Sequence, residues 1–397
     1  MCIRDSLSDS GSDEPVVRFV TAILEQAVNS RVSDVHIEPG EHEVRIRYRI
    51  DGVLHVVDAV PMSLHAAIIS RVKVLSSLDI AERRLPQNGR ITFPSGSRRI
   101  DLRVATLPTV WGEKVVLRVL DAEHIDLDLT ALDFSERNFG AFDSALRRPH
   151  GLVLVTGPTG SGKSTTLYAA LQRISSPDVN IITVEDPVEY QLAGVSQMQV
   201  NAKAGLTFAA ALPAILRSDP DVLLIGEIRD RATAQLAVEA ALTGHLVLST
   251  LHTNDAPSAV TRLLEMGIEP YLLGSSLISV LAQRLTRRLC SWCKTEVEPT
   301  EAEWAAMNWP DAVGRPDTLL TPGQCRSCAM TGYSKRVALQ ESMPVSETLE
   351  RMTVGGATTQ DIRAQAQREG MLTLREDGFA KAAAGVTSVA EVMRVTV

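Results

Sequence analysis

Aromatic residues are scarce in this sequence, at 4% of 397 positions. Any core must therefore be aliphatic, and the aromatic-lined groove on which single-stranded nucleic acid stacks has little to be built from. Positive charge is short as well. The formal net charge of −8 argues against duplex DNA or an anionic lipid surface as the main partner, because both need a cationic footprint. No apolar run comes near the roughly 20 residues that cross a bilayer; the longest buried-looking stretches, such as Gly151–Thr156 and residues 222–226, are of strand length. Residues 1–13 are polar and rich in Ser and Asp, without the apolar segment of a secretory signal, and read as a disordered leader. Cysteine is sparse too. Of the five, Cys2 lies in that leader, and the others form two CxxC pairs, Cys290/Cys293 and Cys325/Cys328. With no export signal, metal binding explains such pairs better than disulfides.

What is present suits an ordinary globular chain, 45% hydrophobic and 22% charged, and long enough for two or three domains. Val16, Phe19, Val20, Ile23, Leu24, Ala27 and Val28 recur at helical spacing, which predicts an amphipathic helix over 14–30. Val44, Ile46, Tyr48 and Ile50 alternate with Arg45, Arg47 and Arg49 as in a strand, and Asp51-Gly52 signals a tight turn into the next. A helix near 62–79, a loop over 83–90 and strands near 99–106 and 113–119 complete an α+β module at 14–120. Residues 121–136 form a polar linker. From about 150, strands at 152–156, 180–184, 222–225 and 246–250 alternate with helices, the mark of a mostly parallel, covered sheet. The core domain is expected at 137–289, a cysteine module at 290–335 and a helical region at 336–397.

Gly157-Pro158-Thr159-Gly160-Ser161-Gly162-Lys163-Ser164-Thr165 fits the phosphate-binding pattern G-x-x-x-x-G-K-[ST], with an apolar strand before it and a helix-forming run after it. Glycines let backbone N–H groups turn in around phosphate, and the helix N-terminus adds positive potential. Lys163 is expected to reach the β/γ-phosphates of ATP, and the Ser164 hydroxyl to bind Mg²⁺. Downstream, Asp219-Pro-Asp221 leads through an apolar strand to Glu227, a carboxylate at a strand's C-terminal end, where ligands gather in an open α/β sheet. Glu185, Asp186 and Glu189 cluster after another strand, a repulsive arrangement unless a cation such as Mg²⁺ offsets it. His252 follows a third strand.

Taken in order, GPTGSGKSTT, ITVEDPVEYQ, DPDVLLIGEIRD and TGHLVLSTLHTNDA resemble the secretion ATPases of type II secretion and type IV pilus assembly. The likeness extends to SDVHIEP near residue 33, to RLPQNGR at 84–90 and to the paired cysteines. It implies a RecA-like P-loop domain preceded by a small α+β, PAS-like domain, with a four-cysteine zinc module and a helical C-terminal tail. It implies a homohexameric, Mg-dependent ATPase on the cytoplasmic side of the inner membrane, reaching the membrane only through a platform protein and binding no nucleic acid. By the same resemblance Glu189 is the general base or water-positioning residue, with Glu185 its competitor. Glu227 supports Mg²⁺ and water, and His252 contacts the γ-phosphate region. Arginines of the first module, Arg90 and Arg103 before Arg84 and Arg118, are expected to approach the phosphates, a duty that suits planar guanidinium groups. Relatives commonly carry a further N-terminal domain, so a chain that begins at the second module is expected to be a short variant or a piece.

The cysteine pairs, separated by residues 294–324, make a strong four-thiolate metal site, because each knuckle presents two thiolates on one side of a tight turn. Four protein ligands leave no open position, so the metal is structural, and Zn²⁺ is the expected ion. In the family this module accompanies assembly rather than retraction ATPases. Two rival readings stay open on sequence: a nucleic-acid packaging or conjugation motor of the same P-loop class, and a nucleotide-dependent scaffold that does not hydrolyse.

Overall fold

The computed structural model describes residues 14–30, 32–95, 98–120 and 127–396. The expected leader with Cys2, and 121–126 of the expected linker, lie outside the described residues. The chain divides into two units, with the boundary between Ile125 and Asp126.

In the first unit the helical spacing at the start becomes α1 (Glu14–Asn29), and Phe19, Val20, Ile23, Leu24, Ala27 and Val28 are all buried. The alternating segment becomes β2 (Glu43–Ile50), between β1 (Asp34–Pro39) and β3 (Val53–Pro61), with Asp51 and Gly52 at φ 47° and 86° in the β2–β3 turn. After α2 (His65–Leu75) come β4 (Gln87–Ser95), β5 (Arg98–Thr109) and β6 (Gly112–Leu120). The second half of the expected 83–90 loop is therefore strand. The six strands pair in the order β3-β2-β1-β6-β5-β4, every neighbour antiparallel. Val44, Ile46, Tyr48, Leu102 and Leu117 meet the α1 residues and Ile68 and Val72 of α2 in one core, and the Tyr48 hydroxyl donates to the Ile23 carbonyl at 2.7 Å. Lys73 and Glu113 form a buried ion pair at 2.7 Å, and the same ammonium donates to the Glu82 carbonyl at 2.6 Å.

The second unit opens with α3 (Glu136–Leu146), β7 (Gly151–Thr156), α4 (Lys163–Ile174), β8 (Ile181–Glu185) and β9 (Val195–Gln199). It continues through α5 (Phe208–Ile215), β10 (Val222–Ile225), α6 (Arg231–Leu242), β11 (Leu246–Leu251), α7 (Pro257–Glu265) and α8 (Pro270–Ser276). Then follow β12 (Leu277–Leu289), β13 (Thr295–Val297), α9 (Glu301–Met307), β14 (Leu319–Thr321) and β15 (Tyr333–Pro344). Four helices close the chain: α10 (Glu347–Val354), α11 (Thr359–Arg368), α12 (Leu374–Ala383) and α13 (Val389–Val395).

Seven strands run β15-β12-β7-β11-β10-β8-β9, parallel except where β15 meets β12. The sheet is covered on both faces. Leu152 and Leu154 of β7 join a core with Leu212, Val238 and Leu263, whereas Val153 and Val155 join another with Phe142, Leu167 and Leu171. Residues 336–344, expected to be helical, are strand. The run 337–343 is buried without interruption, so the alternation that marks a one-sided strand is missing from it. The cysteine module is thus inserted between two neighbouring strands of the main sheet, and β13 and β14 form its own two-stranded ribbon.

Candidate active site

β7, β11, β10 and β8 are neighbours, and their register brings their C-terminal ends to one edge: Thr156 lies opposite Leu251, and Ile225 opposite both Ser249 and Val184. Gly157, His252, Glu227 and Glu185 sit at those ends, so the edge collects all four sequence boxes.

The phosphate loop turns from β7 into α4. Gly162, the N-cap, has φ 89° and no side-chain cap, which leaves first-turn N–H groups to a ligand. Gln283 of β12 braces this turn. Its amide donates to the Ser161 carbonyl at 2.8 Å and accepts from the Thr166 hydroxyl at 2.9 Å. A Cβ at Gly162 would lie 2.7 Å from the Gln283 side chain, and one at Gly157 would lie 2.4 Å from the Gln283 carbonyl, so neither position tolerates a side chain. Pro158, Thr159 and Gly160 are exposed at the tip, Ser164 is exposed and Thr165 half-buried on the first turn of α4. The buried Ser161 hydroxyl has no hydrogen-bond partner among the described residues. The Lys163 ammonium donates to the carbonyls of Gly157 and Pro158, at 2.9 and 3.0 Å. Burial pulls Lys163 below the usual lysine range; Glu227 opposes this and Arg284 adds to it. An ammonium held only by loop carbonyls, uncapped N–H groups and an unpartnered hydroxyl together fit a polyphosphate, and Ser164 at the helix start is placed to serve Mg²⁺.

Glu227 faces His252 across adjacent strand ends, with Oε2 3.4 Å from Nε2, while Arg229 holds Oε1 at 2.5 Å. His252 is half-exposed and Glu227 mostly buried. Glu185 sits differently. Its buried carboxylate accepts from the Thr183 hydroxyl at 2.6 Å, from Gln197 at 3.1 Å and from the Tyr168 hydroxyl. Burial and then the Glu185 bond raise Tyr168 above the usual phenol range, so it stays a donor. The Glu189 N–H in turn donates to that hydroxyl at 3.2 Å. Tyr168 and Glu185 thereby form a pillar under the loop that carries Glu189.

In the first unit Arg90 of β4 lies opposite Arg103 of β5, Arg103 opposite Arg118 of β6, Arg118 opposite Asp34 of β1, and Asp34 opposite Arg49 of β2. Cross-strand partners share a face, so four arginines line up around one buried acid. Arg118 and Arg49 reach Asp34 at 3.0 and 3.6 Å, Arg90 pairs with Asp101, and Arg84, on the preceding loop, pairs with Glu82 at 3.0 Å.

The four cysteine sulfurs lie within 4.8 Å of one another, with Cys290–Cys325 at 3.8 Å, Cys293–Cys328 at 3.7 Å and Cys325–Cys328 at 3.6 Å. Metal–sulfur bonds of about 2.3 Å in a tetrahedron give edges of about 3.8 Å, so the cluster fits one tetrahedral ion. Burial, and bonds from neighbouring thiols, push the Cys293 thiol up to about 12. Burial also opposes ionisation of Cys328, yet backbone contacts at Cys325 and the Gly332 N–H, 3.2 Å from its sulfur, bring it to about 6.

Sequence reading missed Gln283, Tyr168 and Arg284, whose guanidinium donates to Asn254 of the His252 loop at 2.9 Å. A polar Gln-Arg pair directly after the mostly apolar stretch 277–282 was the one available signal for Gln283 and Arg284.

A loop shaped to grip phosphate, with an acid close enough to act on its lysine and an imidazole on that acid, is the working part of a P-loop ATPase, here on a RecA-like sheet. The chain belongs to the family described as Type II/IV secretion system protein, whose pattern matches residues 9–394. The type II secretion system protein HxcR of Pseudomonas aeruginosa is 50% identical over 390 residues, covering 98% of this chain and 79% of its own length. The type IV pilus assembly ATPase PilB of Myxococcus xanthus is 49% identical over 393 residues, 98% of this chain and 69% of its own. The type II secretion system ATPase E of Vibrio cholerae is 48% identical over 394 residues, at 99% and 78%. Among solved structures, the ATPase DotB of Legionella pneumophila has the same fold at 20% identity, with a TM-score of 0.69 and coverage of 98% of each chain. The pilus retraction motor PilT with bound ADP aligns at 23% identity and 0.62, covering 94% and 96%. Among the described residues no helix is long and apolar enough to cross a membrane.

Proposed function

We propose that this chain is the ATP-hydrolysing subunit of a hexameric motor at the cytoplasmic face of the inner membrane. Working through a platform protein, the motor drives assembly of a type IV pilus or a type II secretion pseudopilus. Relatives near 50% identity bear both kinds of name. The observation that carries the ATPase reading is the Glu227–His252 pair beside the Lys163 loop.

Lys163 and the uncapped start of α4 grip the β- and γ-phosphates, and Ser164 holds Mg²⁺. Glu227 would support a Mg²⁺ held at Ser164 and help to orient water, and His252 would contact the γ-phosphate. Glu189 directs the attacking water; Glu185, committed to its three donors, serves as support rather than as base. Little covalent chemistry is needed, so positioning and charge neutralisation do most of the work. Arg90 and Arg103 belong to a row of planar guanidinium groups, a donor type that suits the terminal phosphates of a triphosphate. Zn²⁺ at Cys290, Cys293, Cys325 and Cys328 is structural.

Purified chain with Mg–ATP should release phosphate. Glu227→Gln should bind nucleotide and release almost none, and metal analysis should find one zinc per chain, lost in Cys290→Ser. Absence of phosphate release from the wild type at any ATP concentration, alone or with the platform protein, would end this reading.

A further inference from the structure

Three consecutive residues beyond His252 are each held by a different element. Asn254 accepts from Arg284 of β12 at 2.9 Å, Asp255 Oδ2 accepts from Arg363 of α11 at 2.6 Å, and the Ala256 N–H donates to Glu341 Oε1 of β15 at 2.7 Å. The other Glu341 oxygen accepts the Leu374 N–H at the start of α12, at 3.1 Å. None of these anchors lies in a nucleotide box.

Charge explains why Arg363 matters most. Glu341 is buried at 3% exposure. Burial pushes its carboxyl up to about 7, against the Ala256 bond, and the nearby Asp255 charge adds to the rise while Leu374 and Arg363 oppose it. Two acids thus crowd the foot of α7, and Arg363 is the cation that lets Asp255 stay there. Asp255, just before the N-cap Ala256, also satisfies the first turn of α7, its Oδ1 accepting the Ser258 N–H at 2.9 Å. A second tether, Thr359 to Thr261 at 2.6 Å, leaves the same side of α11 one turn away, since Thr359 and Arg363 are four residues apart. α11 is therefore fixed to α7 and, through Asp255, to the strand end that carries His252.

We propose that Arg363 is a positioning residue for the ATPase site: by holding Asp255 it keeps the 252–256 loop where His252 faces Glu227, so that helix α11 governs the imidazole without touching nucleotide. The role assigned to His252 rests on the ATPase reading above; the hold on the loop does not. Without the guanidinium, Asp255 loses its ion pair while still close enough to buried Glu341 to feel its charge, and the loop shifts, taking the imidazole with it.

The test uses the full chain, with Arg363→Met, which keeps the aliphatic stem, and the double variant Asp255→Asn/Arg363→Met, in which Asn retains the bond to the Ser258 N–H and removes the repulsion. Arg363→Met should lower kcat about tenfold, the scale expected when a reacting group is misplaced by a fraction of an ångström. The Kd for ATP should stay within about twofold, because the phosphate loop is untouched, and amide exchange at Ala256 and Ser258 should rise. The double variant should regain most of kcat and of the protection, the mark of a coupled pair. Wild-type kcat and exchange in Arg363→Met would overturn the proposal, as would a loss of ATP affinity matching the loss of kcat, or a double variant no better than the single. Should the wild type hydrolyse no ATP, the ATPase reading falls, and exchange at Ala256 and Ser258 still decides the hold on the loop.

Discussion

The first sheet packs one face against α1 and α2 and sets Arg90, Arg103, Arg118 and Arg49 along the other, whereas the seven-stranded sheet is closed on both faces. A closed sheet has no face left for polar chemistry, so its polar groups gather where strands end, and Lys163, Glu227 and His252 all lie there. A half-open sheet can present charge across its width, one side chain per strand. Each unit thus places its charge differently, the second at a sheet edge and the first in a row across a sheet face.

This contrast can be broken by experiment. Lys163→Ala strikes the edge, and phosphate release should fall by at least about a thousandfold, roughly 4 kcal/mol of barrier. The melting temperature should hardly move, because the ammonium bonds only loop carbonyls. Lys73→Met strikes the interior of the half-open unit by orphaning buried Glu113. It should cost that unit about 3 kcal/mol in denaturant unfolding, largely regained in Lys73→Met/Glu113→Leu. Arg103→Ala tests the row itself. A drop of roughly 30-fold in kcat with an unchanged melting temperature is expected if the face meets phosphate, and full activity would reduce the row to surface charge.

The last effect is one of pH. Glu341 binds its proton more tightly when folded, with its pKa raised from 4.5 to about 7, so its contribution to stability falls as pH rises from 4.5 towards 7 and is level above. The slope is at most about 1.4 kcal/mol per pH unit. Glu391 runs the other way. Burial opposes it, but Arg394 and Arg287 bring its carboxyl from 4.5 to about 2, so its stabilisation is intact above 4.5 and is lost as pH falls towards 2. Thermal melts between pH 5 and 8 should therefore carry a Glu341 component and none from Glu391, and Glu341→Gln should remove that component.

Local pattern made much of this legible. Phe19 to Val28 declared a helix because one side had to be apolar, and Val44 to Ile50 declared a strand for the matching reason. The phosphate loop was readable because all its parts are contiguous. Three things were not. β15 is buried on both sides and lost its alternation. Gln283 reaches Ser161 across more than a hundred positions, so no local spacing encodes the contact. Glu185 looked as available as Glu189 until Tyr168 and Gln197, from other elements, were seen to occupy it.

β12 touches the phosphate turn at Gln283 and ends at Leu289, directly before Cys290. Extended backbone spans roughly 20 Å over that interval. One strand therefore ties the nucleotide turn to the first sulfur of the knuckle, with a single shift in pairing between Arg287 and Leu289 along the way.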